Sequence, residues 1–522
     1  MFDREHIHSV ADITRAQAKA AANDVAQVFE GRVTTYAELD KRASRVAQGL
    51  IAEGCKPGAR VGFIGKNSDR YYEMLYGAVK AKAVVVGVNW RLAPPEVAYV
   101  LNDARTEIVF VGAEFYDVIQ QVLSECPSVK RVIALDGGRS DWISFDEWRD
   151  GYPAADPMLP AHIDDDVIQL YTSGTTGHPK GVQLTNRNYL ATFEAGEASG
   201  WADWKRREVC LVCMPLFHVA GVNIGIIGHV HGTKNVILKD VDPQVILKLI
   251  ESEKINIAFM VPAVILFLLQ QPNIKTTDVS SLRQILYGAS PIAEDVLRQA
   301  QSTFNAGFVQ LYGLTETTGG ATYLPPDAHD PAKGKLRSCG IPYSNMEIRV
   351  VDEKGEDVPQ GGVGEIVIRG GMVMKGYWNR PEATEDAVRG GWFHSGDAGY
   401  FDTDGYLYIH DRVKDMIVSG GENVYPAEVE NALFGHPAIA DVAVIGVPDE
   451  RWGEAVKACV VLKPGQSVEV ADIIAFAKTR IAGFKVPKSI DIVQALPRNP
   501  SGKILRRELR APYWEGRERM VN

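Results

Sequence analysis

Cysteine is scarce: six in 522 residues, too few for a disulfide framework. A chain of this length buries a core that holds without cross-links, so the expected compartment is reducing and the expected location cytoplasmic. Long apolar runs are missing too. The greasiest stretch, INIAFMVPAVILFLL at residues 255–269, is interrupted by Asn256 and Pro262. It falls short of the ~20 residues of a spanning helix and reads as a buried strand followed by a buried helix. Peripheral membrane contact stays open. The opening MFDREHIHSV is charged and carries no apolar segment, so no signal peptide is expected. Basic charge is in deficit: 56 Lys and Arg against 66 Asp and Glu leave a net charge of −10, which argues against a nucleic-acid partner. No internal repeat or low-complexity tract occurs, and nothing sets the oligomeric state; a homodimer is one open arrangement.

The chain does show a steady alternation of helix-like and strand-like segments over its first 400 residues. Thr35-x-x-Glu38 forms a capping box that opens a helix with the apolar stripe Leu39, Ala43, Val46, Ala47, Leu50 and Ile51, stopped at Gly54. Apolar strands at 60–65 and 83–89 flank a helical stretch at 71–81, and Asp242-Pro243 opens another helix. This rhythm predicts an α/β protein whose large N-terminal domain is built of helix-covered, mostly parallel sheets. The character changes near residue 411. Residues 412–522 carry a net +2 on an otherwise acidic chain, and 478–510 alone hold nine Lys and Arg against two acids. The boundary is placed at 411–414, dividing residues 1–411 from a smaller C-terminal domain at 412–522. The basic segment fits a polyanionic small ligand, although a solvated charged helix would have the same composition.

The most informative segment is YTSGTTGHPKGV, residues 171–182. Gly174, Gly177 and Gly181 let backbone N–H groups converge on an anion, Thr172, Ser173, Thr175 and Thr176 add hydroxyls, and Lys180 adds a compact positive charge. The spacing is not that of a Walker A loop, which needs Lys directly after the closing glycine, and neither G-x-G-x-x-G, G-x-S-x-G nor H-E-x-x-H occurs. A plain Ser/Thr/Gly surface loop would have the same composition.

This segment resembles the phosphate-loop signature of the adenylate-forming enzymes, which include acyl-CoA synthetases, aryl-CoA ligases, luciferases and the adenylation domains of peptide synthetases. Three more segments follow in that family's order: LYGLTET at 311–317, the run from GWFHSGD to YPAEVE at 391–430, and PRNPSGKILRRELR at 497–510. The resemblance runs from about residue 25 to the end. It implies joining of a carboxylate to AMP with loss of pyrophosphate, then transfer of the acyl group to a thiol, with ATP, Mg²⁺ and CoA as the small-molecule partners. It assigns Thr172 to Lys180 to the outer phosphates, Glu316 to Mg²⁺ and Thr315 to the α-phosphate. By the same resemblance Gly288, Ala289, Ser290, Tyr312 and Gly313 are expected to line the nucleotide site, and Asp397 to hold the ribose with Arg412 beside it. Lys503, with Thr172 and Glu316, is expected in catalysis of adenylation. By the same resemblance Lys414 matches the hinge about which a small mobile α+β C-terminal domain is expected to turn, one pose presenting Lys503 and the other presenting Ser419, Gly420, Gly421 and Glu422 to the thiol. Ser395 stands where threonine is commoner and keeps the hydroxyl.

The acyl pocket is expected at MPLFHVAGVNIG, with His218, Gly221 and Val222. The segment holds no carboxylate where amino-acid-activating relatives carry an Asp, which argues for a neutral apolar tail: a medium- or long-chain fatty acid, with an aryl acid of the coumarate or benzoate type as the alternative. His218 is either a gate on the thiol tunnel or a satisfied core histidine. The chain ends 19 residues after Lys503, so free CoA is the simpler acceptor. A separate carrier protein, acyl-adenylate formation alone, a luciferase-like oxidation and a catalytically silent nucleotide binder stay open. Cys210-x-x-Cys213 and His229-x-His231 lack the further ligands of a zinc site and read as buried structure.

Overall fold

The structure, a computed structural model, describes residues 2–172, 179–412, 415–419, 422–449, 452–498 and 504–515. Among them, four sheets are present. The first has nine strands, and six of these run parallel in one block: Val25–Phe29, Lys234–Ile237, Val209–Val212, Ile257–Met260, Gln284–Gly288 and Gly307–Tyr312. The second has seven strands around a parallel block of Arg60–Ile64, Val84–Val88, Thr106–Val111, Arg131–Ala134 and Asp166–Thr172. Strands such as RVGFI and VVVGV are buried at every position, as strands covered by helices on both faces must be.

The helices follow their sequence signals. Tyr36–Ala52 starts at the Thr35/Glu38 capping box. Its stripe faces the core through Leu39, Ala43, Val46, Ala47 and Leu50, all fully buried. Ile51 departs from the expected stripe and is 37% exposed, because it lies ~100° round the helix from Leu50, at the margin of the apolar face. Asp69–Lys80 packs against this helix at Gly77, where a Cβ would stand 2.4 Å from Val46 Cγ1. Residues 255–269 form the expected strand and helix, Ile257–Met260 and Pro262–Leu269, and Asp242 caps Pro243–Glu253 through two backbone N–H groups. No helix among the described residues is long and apolar enough to cross a membrane.

A third sheet of Met346–Val351, Gly364–Gly370, Trp392–Phe401, Val388–Arg389 and Leu407–Arg412 is antiparallel throughout. Its hairpin from Trp392–Phe401 to Leu407–Arg412 turns through a short connection that contains Gly405. From Ile417 onward the strands belong to a fourth sheet: Ile417–Ser419, Glu422–Val424, Ile439–Asp449, Gly453–Leu462 and Ser489–Ile492. It packs under Pro426–Phe434 and Val470–Lys478 around a core of its own, with Val429, Leu433, Val444, Val456 and Ile473.

Several histidines are interior. His229 Nδ1 lies 3.0 Å from the Tyr76 hydroxyl within a cluster of tyrosines, and His329 sits between the Tyr287 hydroxyl and the Pro325 carbonyl. Cys210 and Cys213 are buried and free, and no metal-ligating group of three or more side chains occurs among the described residues. Burial pushes the His229 imidazole down to about 3 and those of His231 and His329 to about 4. In the unfolded chain the same groups take up protons near pH ~6.5. Between these values the unfolded state binds more protons, so stability is lost as pH falls from about 6.5 toward 4 and is flat above that window on their account. The thermal unfolding midpoint is therefore expected to drop measurably between pH 6.5 and 5, before most carboxylates titrate; an unchanged midpoint over that interval would contradict neutral burial of these rings.

Candidate active site

The first two sheets present the C-terminal ends of their parallel strands to one cavity of ≈ 2040 Å³, which the third sheet and residues of the C-terminal segment also line. Open α/β sheets place their ligands at this end of the strands. Thr172 ends one strand and Lys180 begins the next, and the two residues pair across the hairpin. The residues between them that were assigned to phosphate, Ser173, Gly174, Thr175, Thr176 and Gly177, lie outside the described residues.

Lys180 places its Nζ 4.9 Å from the centre of the Tyr377 ring. The Tyr377 hydroxyl donates to Glu316 Oε1 at 2.9 Å, and the Met374 N–H donates to the Glu316 carbonyl at 2.7 Å. Lys180 and Glu316, far apart in sequence, are thus brought to one aromatic side chain. Glu316 and Thr315 sit in a short 3₁₀ turn and are mostly buried. Tyr377 lies in the short strand Gly376–Tyr377, paired to Lys180–Thr185. Sequence reasoning missed it, because an isolated tyrosine in KGYWN carries no motif of its own.

Gly288 ends its strand against the neighbouring one: a Cβ there would stand 2.1 Å from the Leu311 carbonyl oxygen. Ala289 follows in the left-handed region at φ +66 and is exposed at the cavity wall, with Ser290 half-buried after it. The Tyr312 hydroxyl donates to Asp397 Oδ2 at 2.8 Å. Asp397 is held in turn by Ser395, whose Oγ accepts from the Asp397 N–H and donates to the Ile366 carbonyl. Asp397 and Arg412 are Cα partners in the hairpin of the third sheet.

His218 caps the helix Val219–His231, its Nδ1 accepting from the Ala220 N–H at 3.3 Å. That leaves the proton of the neutral ring on Nε2, and burial pushes the imidazole down to about 4, so the ring is uncharged at neutral pH. His218, Ala220, Asn223, Ile224 and Ile227 line the cavity, at helical spacing along one face. Gly221 and Val222 stand on the other side. A Cβ on Gly221 would meet the Pro215 carbonyl oxygen at 2.1 Å, and Val222 is fully buried, so both pack the helix down and the pocket surface falls to their neighbours. Ser419 is buried at the end of its strand and pairs with Glu422, away from the cavity wall. Gly420, Gly421, Lys414 and Lys503 lie outside the described residues. Asp415, Met416, Tyr425, Arg498 and Ile504, which flank some of them, do line the cavity.

The family described as AMP-binding enzyme matches residues 14–378, and the one described as AMP-binding enzyme C-terminal domain matches 428–503. The fatty acid–[acyl-carrier-protein] ligase ScoC of Streptomyces coeruleorubidus is 40% identical over 528 residues, covering 100% of both chains. The feruloyl-CoA synthase of an Amycolatopsis species is 39% identical over 501 residues, covering 95% of this chain and 97% of its own. Among solved structures, the anthranilate CoA ligase AuaEII in complex with anthranoyl-AMP superposes with a TM-score of 0.90 at 27% identity, over 97% of each chain.

One consequence of the wall's construction concerns Gly313. A Cβ there would lie 2.4 Å from the Gly320 backbone nitrogen, and backbone on both sides has no rotamer with which to yield. Gly313→Ala is expected to destabilise the fold by about 1–3 kcal/mol in urea unfolding, whatever it does to activity; an unchanged midpoint would show that the turn at 313–320 relaxes freely.

Proposed function

The chain belongs to the AMP-binding enzymes, and we propose that within this family it is an ATP-dependent, AMP-forming acyl-CoA synthetase for an acid with an apolar tail, a medium- or long-chain fatty acid in the first instance. The observation that carries this reading is the continuity of one cavity. Thr172, Lys180 and Glu316 stand on its polar side, and Ala220, Ile224, Ile227, Val261 and Val264 form an apolar wall in the same space. A phosphate-bearing substrate and a greasy acid therefore meet without leaving protein.

The chemistry asks for little acid–base work. A carboxylic acid with pKa near ~4.3 is already ionised at neutral pH, and the neutral His218 ring is not poised to take a proton from it. What the residues supply is orientation and charge neutralisation at the α-phosphate, the terms that usually dominate such transfers. Lys180 and the loop ahead of it would hold the leaving phosphates. Asp397, anchored by Tyr312 and Ser395, would accept from the ribose hydroxyls, with Arg412 beside it, and Gly288, Ala289 and Ser290 would border the base. Glu316, steadied by Tyr377, offers a single carboxylate. Mg²⁺ is commonly held by one or two carboxylates together with substrate phosphates and water, so this donor set fits an ion that arrives with the nucleotide and neutralises its charge. Lys503 would bridge the carboxylate and α-phosphate oxygens. Rotation about Lys414 would then exchange it for the segment Ser419 to Glu422, where the thiol enters.

Two second readings have specific support. The aromatic side chains Trp201 and Tyr343 on the cavity wall and the feruloyl-CoA synthase similarity favour an aryl acid. The carrier-protein ligase similarity over the full chain favours a carrier thiol in place of CoA.

Pyrophosphate release is expected only when ATP and an acid are both present. Lys503→Ala should lower acyl-adenylate formation by about 10²–10³-fold while still converting supplied acyl-adenylate and CoA to thioester; a variant that adenylates at the normal rate removes the lysine from the mechanism. Tyr377→Phe should lower the rate at subsaturating Mg²⁺ and recover in part as Mg²⁺ is raised, read as a shift in the Mg²⁺ dependence of pyrophosphate release.

A further inference from the structure

The hairpin that carries Thr172 and Lys180 is held from behind by a carboxylate that does not line the cavity. Asp103 lies in the last turn of the helix Pro94–Ala104, and its side chain is only 8% exposed. Its Oδ2 accepts from the Tyr171 hydroxyl at 2.7 Å, and its Oδ1 accepts from Arg380 Nη2 at 2.6 Å. Its backbone carbonyl accepts from the Trp378 indole N–H at 3.0 Å. Tyr171 directly precedes Thr172, while Trp378 and Arg380 follow Tyr377, which holds Glu316. Asp103 therefore joins the cationic hairpin to the segment that steadies the cavity's carboxylate.

The same helix reaches the second arm of the hairpin. Tyr99 stands one turn before Asp103 on the same face of the helix. Its hydroxyl donates to the carbonyl of Pro179, next to Lys180, at 3.0 Å. The Trp378 N–H donates to the Gly181 carbonyl at 2.8 Å. Gly181 is the Cα partner of Tyr171, and a Cβ on it would stand 2.6 Å from Gln169 Nε2. That amide donates to the Tyr171 oxygen at 3.1 Å. Arg60 closes the back of the network: its guanidinium carbon lies 3.4 Å from the centre of the Trp378 ring, and it pairs with Asp166 at 2.9 Å. The Tyr171 oxygen thus accepts from Gln169 and donates to Asp103. Burial, and after it the Asp103 carboxylate, push the phenol well above its usual range, so it keeps the proton it donates.

A buried carboxylate is unfavourable unless it is paired and hydrogen-bonded, and bonds to a charged group are the strong ones. The partners of Asp103 come from segments distant in the chain, and no rule of helix or hairpin formation requires them. Resting on the assignment of this hairpin to the outer phosphates above, we propose that Asp103 is a positioning residue for the nucleotide: through Tyr171 it sets Thr172 and Lys180 for the phosphates beyond the α-phosphate. Trp378 and Arg380 hold the carboxylate in place for that task. A bond that orients the hairpin in this way acts on ATP, which carries the outer phosphates, and leaves AMP, which lacks them, unaffected.

The test is titration calorimetry of the full chain with ATP and, separately, with AMP, in excess Mg²⁺ and without any acid. Asp103→Ala and Tyr171→Phe are each expected to weaken ATP binding about tenfold, the scale of one hydrogen bond to a charged group, and to leave AMP binding unchanged. Because Asp103 acts through Tyr171, the double variant is expected to bind ATP no more weakly than Asp103→Ala. General loosening of the domain would weaken both nucleotides together. That result, an unchanged ATP affinity in either variant, or losses that add in the double variant overturns the inference. Should Asp103→Ala not fold, Tyr171→Phe, which removes a single oxygen, decides by the same criteria. Lys180→Ala tests the underlying reading: it is expected to weaken ATP and spare AMP. If it does not, or if the unmodified chain binds neither nucleotide, it is the assignment of the hairpin to the phosphates that fails, and the inference with it.

Discussion

The hydrogen bond from the Tyr377 hydroxyl to Glu316 spans the seam between the two large sheets, and the site is built around that seam. Glu316 follows the last parallel strand of one sheet, and Tyr377 rides on the edge of the other beside Lys180. Each sheet buries both faces under helices, so neither has free surface for chemistry except at strand ends. Only where the two sets of ends face each other can a cation, a carboxylate and backbone N–H groups converge. The second contact at this seam, from the Met374 N–H to the Glu316 carbonyl, fixes the backbone that carries the carboxylate.

Polarity is graded across the cavity. At one end are Lys180 and Glu316; at the other are apolar side chains from Val219–His231 and Pro262–Leu269. The neutral His218 ring stands at the head of the helix that forms the apolar wall, as its cap. Burial keeps it uncharged, so the ring adds no positive charge to that wall. The C-terminal segment from Ile417 onward has a hydrophobic core of its own.

Much of this was legible in the chain. The capping box at Thr35, the Asp242-Pro243 helix start and the buried strands RVGFI and VVVGV all rest on local rules, with partners within a few residues. The family, too, was readable, because its motifs are contiguous. The antiparallel third sheet was less so, since alternation of helix and strand dominates the periodicity and a few hairpins near its end add little to it. Ile51 shows the limit of a helical stripe, whose edge residues belong to whichever side the neighbouring element leaves open.

By itself the sequence determined the α/β class and the family, because contiguous motifs and period-two or period-3.6 patterns need no knowledge of what lies across the core. Only the tertiary structure decided which side chains meet. It brought Lys180 and Glu316 to Tyr377, tied Asp397 to Tyr312, turned Gly221 and Val222 away from the cavity, and joined Asp103 to Tyr171 and Arg380. Those outcomes depend on how helices and strands distant in the chain pack against one another, and packing at a crossing is settled by shape and by backbone approach, neither of which leaves a periodic mark along the sequence.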